Sequence, residues 1–257
     1  MITSRDNQYV KLVRALLTSK KARDEHGLFV LESPKAIAEL DLSVVEFALK
    51  EAGESGCHSS EGWNPDENIR TLEVSSELWK WLSDTRSPQG QCAVVKKPVY
   101  ALSAIRDGVV VVCDGIQDPG NAGTIIRTAA AFNASAVMSA PETVDFFSPK
   151  VARASAGALM KIPLIEQITP ERLKEAGYTI VGLDLNAARD FRTIRRDKKV
   201  AIVFSHEGAG IRSSFFEAAD VCVRIPHTPA VESLNVAVSA GIVLEWWYAG
   251  SDGPIAS

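Results

Sequence analysis

Polar residues that could bind or activate a ligand follow three apolar runs in the second half of the chain. Each run has the β-branched composition of a strand, and the polar residues lie in the turn or helix that comes next. A helix start leaves free backbone N–H groups at the edge of a sheet, where the ligands of open α/β sheets bind, so we expect one common site. The polar residues are Asn121, Arg127, Glu207, Ser233 and Asn235.

Two common kinds of site do not fit this pattern. The loop DGIQDPGNAG stands where a dinucleotide site would have G-x-G-x-x-G, and the Lys-Ser/Thr pair of a P-loop is missing. A serine hydrolase would use Ser205 or Ser233 with His206 or His227, but neither serine lies in a G-x-S-x-G turn. An esterase-like hydrolase remains an alternative, which labelling with a fluorophosphonate probe would test. A separate alternative is that Ser233 and Asn235 only cap the helix that follows them.

Binding of an adenosine and a ribose fits the group better. The backbone of residues 205–210 and 225–228 can reach the edges of both rings, while apolar side chains can form the walls. The expected cofactor-binding residues are Leu183, Ser205, Gly208, Ile225 and Leu234. Four cysteines without a C-x-x-C pair and four histidines without ligand spacing predict no metal site.

Apolar strands alternate with helices throughout the second half, which predicts an α/β fold with a parallel sheet covered on both faces. The predicted strands are Val109–Cys113, Ala136–Met138, Tyr178–Leu183, Val200–Ser205 and Val221–Ile225. One predicted helix spans Thr124–Phe132, a second begins near Pro149, and the last ends at Tyr248. Cys113 and Cys222 fall inside apolar runs and are expected in the core.

The first half predicts a smaller, separate domain. A helical stripe covers residues 3–17, a strand covers Gly27–Ser33, and a helix contains Leu78, Trp79 and Leu82. The polar segment between Gly53 and Asn68 is expected to be a loop. We place the boundary near Ala101–Asp107 and predict domains of residues 1–104 and 105–257.

Charge is unevenly distributed along the 257 residues. The net charge is −4, yet the first 23 residues carry six basic residues against one acid, and residues 189–199 hold a second basic cluster. Such local patches suit the phosphate contacts of a nucleic acid, and Arg5, Lys11, Arg14 and Arg23 are the expected contact residues. No signal peptide or transmembrane run is visible, and we expect a cytoplasmic protein without a membrane partner.

The three polar stretches, taken together, resemble the signature motifs of the SpoU family of RNA ribose 2′-O-methyltransferases, in the SPOUT class. Asn121 and Arg127 match the first motif, Glu207 and Gly208 the second, and Ser233, Leu234 and Asn235 the third. The resemblance implies a C-terminal SPOUT domain with a deep trefoil knot, and S-adenosyl-L-methionine as cofactor. Three positions depart from the family pattern: Ser205 and His206 replace a Gly-Asn pair, and His227 replaces a Met.

The resemblance also implies catalytic roles. The family residue matched by Arg127 is proposed to activate the ribose 2′-hydroxyl; because an arginine stays protonated, stabilising the developing oxyanion is the easier role. Asn121 would position the loop or Arg127, and Glu207 would orient Arg127 or Asn121. Ser233 and Asn235 would fix the cofactor loop.

The N-terminal half looks like the substrate-binding domain of many SpoU enzymes, a small α/β domain of the ribosomal-protein type. The matching residues are Ser4, Arg5, Asn7, Lys11, Arg23, Phe29 and Glu32, whereas Ser33 replaces a usual Gly. The resemblance implies ribosomal RNA as substrate and a homodimer through the C-terminal domain. Transfer RNA is the alternative substrate. The alternative function is that of an RNA-binding protein that retains the fold without catalysis.

Overall fold

The computed structural model describes residues 1–53, 69–83, 90–205 and 214–250. It divides into two compact units, Met1–Lys97 with Phe147–Gly157, and Pro98–Phe146 with Ala158–Ser257. The predicted loop at residues 54–68 and the second-motif residues His206, Glu207 and Gly208 lie outside the described residues.

The first unit is built on a four-stranded sheet. Its strands are β1 (Leu28–Leu31), β2 (Val45–Glu51), β3 (Thr71–Val74) and β4 (Gln91–Lys96), in the order β1-β4-β2-β3. β4 runs antiparallel to β1 and β2, and β3 runs parallel to β2. The helices are α1 (Gln8–Thr18), α2 (Lys20–His26), α3 (Pro34–Ala38), α4 (Ser76–Leu82) and α6 (Pro149–Ala154).

The predicted N-terminal helix is present as α1 and begins five residues later than expected. Asn7 caps it by accepting a hydrogen bond from the Tyr9 N–H at 3.0 Å, which explains the start. Its apolar stripe, Val10, Val13 and Leu16, is fully buried in the core of the first unit. The 3.6-residue period of the sequence therefore identifies the buried face correctly.

Arg23 requires a correction. Its side chain is only 4% exposed, and its guanidinium donates a hydrogen bond to the Leu16 carbonyl oxygen, which ties α2 to α1. A buried arginine whose hydrogen bonds are made inside the protein is not available to an RNA phosphate. The prediction that Arg23 contacts RNA is therefore wrong.

The second unit contains a seven-stranded sheet. Its strands are β5 (Gly108–Asp114), β6 (Ala136–Ser139), β7 (Leu164–Ile165), β8 (Thr179–Leu183), β9 (Arg189–Asp190), β10 (Lys199–Ser205) and β11 (Val221–Arg224). The order is β7-β6-β5-β10-β8-β11-β9, and each of its strand pairs is parallel. The predicted α/β fold with a parallel sheet is confirmed.

Helices accompany these strands in the second unit. They are α5 (Pro119–Ala131), α7 (Pro170–Glu175), α8 (Ser214–Glu217) and α9 (Val236–Ala249). α5 begins at Asp118, whose carboxylate accepts a hydrogen bond from the Asn121 N–H at 2.7 Å, with Pro119 at the first helical position. α5 packs against α9. Two polar helix starts therefore belong to one packed pair of helices.

The core of the second unit consists of the central strands. Val110 and Val112 of β5 and Ala201 and Val203 of β10 have no exposed surface. Cys113 is also fully buried, which raises the pKa of its thiol to about 12, whereas Cys222 is only half-buried. The expectation of a core position is thus confirmed for Cys113 and wrong for Cys222.

Candidate functional site

A cleft opens at the carboxyl ends of β8, β10 and β11, with an empty volume of about 520 Å³ that includes the solvent at its mouth. Five residues predicted from the sequence line it: Leu183, Ser205, Ile225, Ser233 and Leu234. Four of them are the described members of the predicted cofactor-binding set, and Ser233 belongs to the predicted catalytic set.

Parallel strand register brings these residues together. Leu183 lies opposite Val223 in the pairing of β8 with β11, so the segment after β11 begins at the end of β8. Ile225 is 9% exposed, and Leu183 and Leu234 are half-buried. These three side chains form the apolar part of the cleft.

Charged residues of the same cleft were missed by sequence reasoning. Asp184 and Arg224 both line it, directly after Leu183 and Val223. The position of each residue at the end of a predicted strand was the available signal. His227, the departure from the family motif, also lines the cleft, and its Nδ1 lies 3.0 Å from the Ile225 carbonyl oxygen. This contact lets the ring N–H donate a hydrogen bond within its own turn.

Ser205 is held at the end of β10 by its hydroxyl, which donates a hydrogen bond to the Asp114 carboxylate at 3.0 Å. Asp114 is the last residue of β5 and pairs with Ser205 in the parallel register. The serine that departs from the family's glycine therefore contributes a contact that a glycine could not make. The two central strands are tied together at the edge where the cleft opens.

Asn121 and Asn235 meet directly, although 114 residues separate them. The Asn235 Nδ2 donates a hydrogen bond to the Asn121 Oδ1 at 3.0 Å. The Asn235 Oδ1 also accepts from the N–H groups of Ala237 and Val238, at 2.9 and 3.3 Å. Asn235 is thus the N-cap of α9, which is the capping role considered as an alternative from the sequence, and it also links this helix to the start of α5.

Arg127 lies apart from this group. It is exposed on α5, about two-thirds of a turn round the helix from Asn121, and it does not line the cleft. Of the predicted catalytic residues, the structure therefore pairs Asn121 with Asn235 and places Ser233 in the cleft. Glu207 and Gly208 lie outside the described residues.

The first unit carries a surface that combines arginine and tryptophan. The guanidinium carbons of Arg5 and Arg14 lie 5.0 and 5.1 Å from the centre of the Trp81 ring, within the range of cation–π contacts. Arg5 and Lys11 are exposed and Arg14 is half-buried. Lys11 pairs with the exposed Asp6 at 2.9 Å, a contact that an RNA phosphate could replace at little cost.

Neither a metal centre nor a membrane span was found in the part of the chain that the structure describes. No group of three or more His, Cys, Asp or Glu side chains there could hold a metal ion. None of the described helices is long and apolar enough to cross a bilayer.

Two family models cover most of the chain. The SpoU rRNA Methylase family matches residues 108–245, and the MRM3-like substrate binding domain matches residues 7–93. The resemblance predicted from the motifs is confirmed for both halves.

Individual relatives match over nearly their whole length. The 23S rRNA (guanosine(2553)-2'-O)-methyltransferase RlmP of Bacillus subtilis (strain 168) is 31% identical over 249 residues, which cover 95% of this chain and 97% of the relative. The structure of an AdoMet-bound rRNA methyltransferase from Sinorhizobium meliloti has a TM-score of 0.81 and 30% identity, covering 96% of this chain and 97% of that one. The structure of an RNA 2'-O ribose methyltransferase has a TM-score of 0.74 and 32% identity, with 96% and 98% covered.

The double role of Asn235 leads to a stability prediction. Replacing Asn235 with Ala removes the cap of α9 and the hydrogen bond to Asn121. We therefore expect the free energy of unfolding, measured by denaturant titration, to fall by about 0.5–2 kcal/mol. Asn235→Asp is the matched control, because its carboxylate still accepts from Ala237 and Val238 and should retain most of the cap. Equal stability of Asn235→Ala and the unaltered protein would contradict this account.

Proposed function

Because the chain belongs to the SpoU rRNA methylase family, we propose that it transfers a methyl group from S-adenosylmethionine to a ribose 2′-hydroxyl of RNA. The observation that carries the proposal is the cleft at the ends of β8, β10 and β11. It collects residues of the third motif beside the strand that leads into the second. A binding protein without catalysis would not need these polar residues at a small-molecule cleft.

The residues of the cleft suit S-adenosylmethionine. Leu183, Ile225 and Leu234 can enclose the apolar faces of adenine, and polar side chains and strand-end backbone groups lie beside them. Ser205 keeps its hydroxyl on Asp114, so its backbone is the part that would contact the cofactor, as would that of Gly208. When bound, the cofactor supplies an electrophilic methyl group.

The proposed catalytic roles concern the ribose oxygen that accepts the methyl group. An alcohol is a poor nucleophile until its proton is removed or its oxyanion is stabilised. Arg127, as a permanent cation, would stabilise the developing negative charge. Asn121 and Asn235 would hold the two helix starts in place, Ser233 would position the cofactor loop, and Glu207 would orient Arg127 or Asn121.

A homodimer through the C-terminal domain would complete this arrangement. Arg127 faces solvent on α5, and α9, which packs on α5, exposes 52% of Val238. An apolar side chain and a catalytic arginine exposed on a packed helix pair suit a surface shared with a second copy. The deep trefoil knot of the SPOUT class is part of the same proposal.

Ribosomal RNA is the substrate that we propose. The Bacillus subtilis relative is named for 23S rRNA, and the N-terminal match is to a substrate binding domain. We assign RNA binding to residues 1–104, with Arg5, Lys11 and Arg14 in contact with phosphates, and catalysis to residues 105–257. We propose that the enzyme acts in the cytoplasm.

The reaction predicts methyl transfer to a defined RNA. The purified protein, given labelled S-adenosylmethionine and total RNA, should label ribosomal RNA, and nuclease digestion should release a 2′-O-methylated nucleotide. Arg127→Ala should reduce the rate by at least about 100-fold, because it removes the charge opposite the oxyanion. Labelling of transfer RNA alone would correct the substrate, and labelling of neither RNA would contradict the proposed function.

The arginine and tryptophan surface predicts where RNA binds. Arg5→Ala should weaken RNA binding roughly threefold or more and lower the slope of log Kd against log salt by about one. Lys21→Ala is the matched control, since it removes one exposed positive charge from α2 of the same unit and should leave binding nearly unchanged. Filter binding over a range of salt concentrations gives both values, and equal effects of the two substitutions would exclude this surface.

A further inference from the structure

Asp184 has a position in the cleft that the family motifs do not explain. It is the first residue after β8, it is half-buried, and it lines the cleft. Its backbone N–H donates to the Val223 carbonyl oxygen at 2.9 Å, and its Oδ1 accepts from the Asn186 N–H at 2.9 Å. The carboxylate is therefore fixed in orientation by the end of the sheet and by its own turn.

The second oxygen of this carboxylate is available to a ligand. Among the residues that the structure describes, no hydrogen bond or ion pair engages the Asp184 Oδ2. Arg224, the next residue after the paired position on β11, lines the same cleft, and no ion pair joins it to Asp184 in the described part of the chain. A half-buried carboxylate gains most from a donor that can enter the cleft, because leaving it unbonded costs free energy.

The negative charge of Asp184 also reaches its surroundings. Burial, and then the charge of Asp184, raise the pKa of the neighbouring Cys222 thiol. Cys222 lies opposite Gly182 in the pairing of β11 with β8, two residues before Asp184 along the chain. The carboxylate is thus an electrostatic feature of this strand end, in addition to its role in the turn.

We propose that Asp184 binds the ribose hydroxyls of the adenosine part of S-adenosylmethionine and so determines recognition of the cofactor sugar. The inference rests on the proposed function. Leu183, Ile225 and Leu234 form an apolar wall for the base, and the ribose is joined to the base by one bond, so a carboxylate directly after Leu183 is in reach of the sugar. Carboxylates at strand ends bind ribose hydroxyls in dinucleotide sites by the same chemistry.

The cationic groups of the cofactor fit this position less well. An ammonium or sulfonium group near Asp184 would also lie in a cleft lined by the positive charge of Arg224, which opposes a cation. Ribose hydroxyls are neutral, and two neighbouring hydroxyls can donate to a carboxylate while one of them accepts from an arginine. The pair Asp184 and Arg224 therefore suits a diol better than it suits a cation.

The test compares Asp184→Asn with Asp190→Asn by calorimetric titration of the full chain. Asn at position 184 still accepts from the Asn186 N–H but presents an amide N–H₂ or a neutral oxygen to the ligand. Asp190 is the matched control, because it caps the Arg192 N–H at 2.9 Å at the end of β9, in the same sheet, without lining the cleft. The ligands are S-adenosylhomocysteine, adenosine and 2′,3′-dideoxyadenosine.

We expect Asp184→Asn to weaken S-adenosylhomocysteine binding about 10- to 100-fold and Asp190→Asn to leave it unchanged. The unaltered protein should prefer adenosine to dideoxyadenosine, and Asp184→Asn should lose that preference. Equal affinity of the unaltered protein for the two nucleosides, which needs no variant, would overturn the inference while leaving the proposed function intact. Failure of the unaltered protein to bind S-adenosylhomocysteine would overturn both.

Discussion

The parallel pairing of β10 with β5 on one side and with β8 on the other is the interaction on which the second unit depends. The side chains that are completely buried there are Val110, Val112, Ala201 and Val203. Each Å² of apolar surface removed from water stabilises the fold by about 25 cal/mol. Because the strands are parallel, their carboxyl ends lie at one edge, and each following turn begins there. A shift of register by one residue would turn every side chain of β10 to the other face.

Polar contacts at this edge hold the strand and helix ends in place. The hydrogen bond from Ser205 to Asp114 joins β10 to β5, and the one from Asn235 to Asn121 joins the starts of α9 and α5. Asn235 shows how one side chain can serve both stability and function, since its oxygen caps a helix while its amide nitrogen holds a residue of the first motif. The position of the cleft depends on these short contacts as well as on the apolar core.

Much of the second unit could be predicted from the sequence, because its strands are long, apolar and bounded by clear turns. β7 and β9 were missed because two residues give no measurable period, and α2 and α7 because each contains too few apolar residues to show the 3.6-residue pattern. The assignment of Phe147–Gly157 to the first compact unit has no signal in composition or periodicity. In that unit, Arg153 forms an ion pair with Glu32, and the ring centres of Phe147 and Phe29 lie 5.2 Å apart. Both contacts join residues that are far apart in the sequence.

The residues of the cleft could be predicted from the sequence where they lie at the end of a recognisable strand. Leu183, Ser205 and Ile225 were found because they end apolar runs, whereas Leu234 was found through its match to the third family motif. Arg23 was assigned wrongly because a basic residue in a charged segment has the same sequence pattern whether it faces solvent or caps a neighbouring helix. Asp184 and Arg224 were overlooked because a single charge after a strand is common, and only the pairing of β8 with β11 brings the two together.

Titration of S-adenosylmethionine into the full chain tests most directly whether this cleft is the cofactor site. Saturable binding is expected, and Leu234→Asp should abolish it by placing a charge in the apolar wall. Val231→Asp is the control, because Val231 is 52% exposed, lies three residues away and does not line the cleft. Absence of binding at millimolar cofactor, or equal binding by the two variants, would contradict the account.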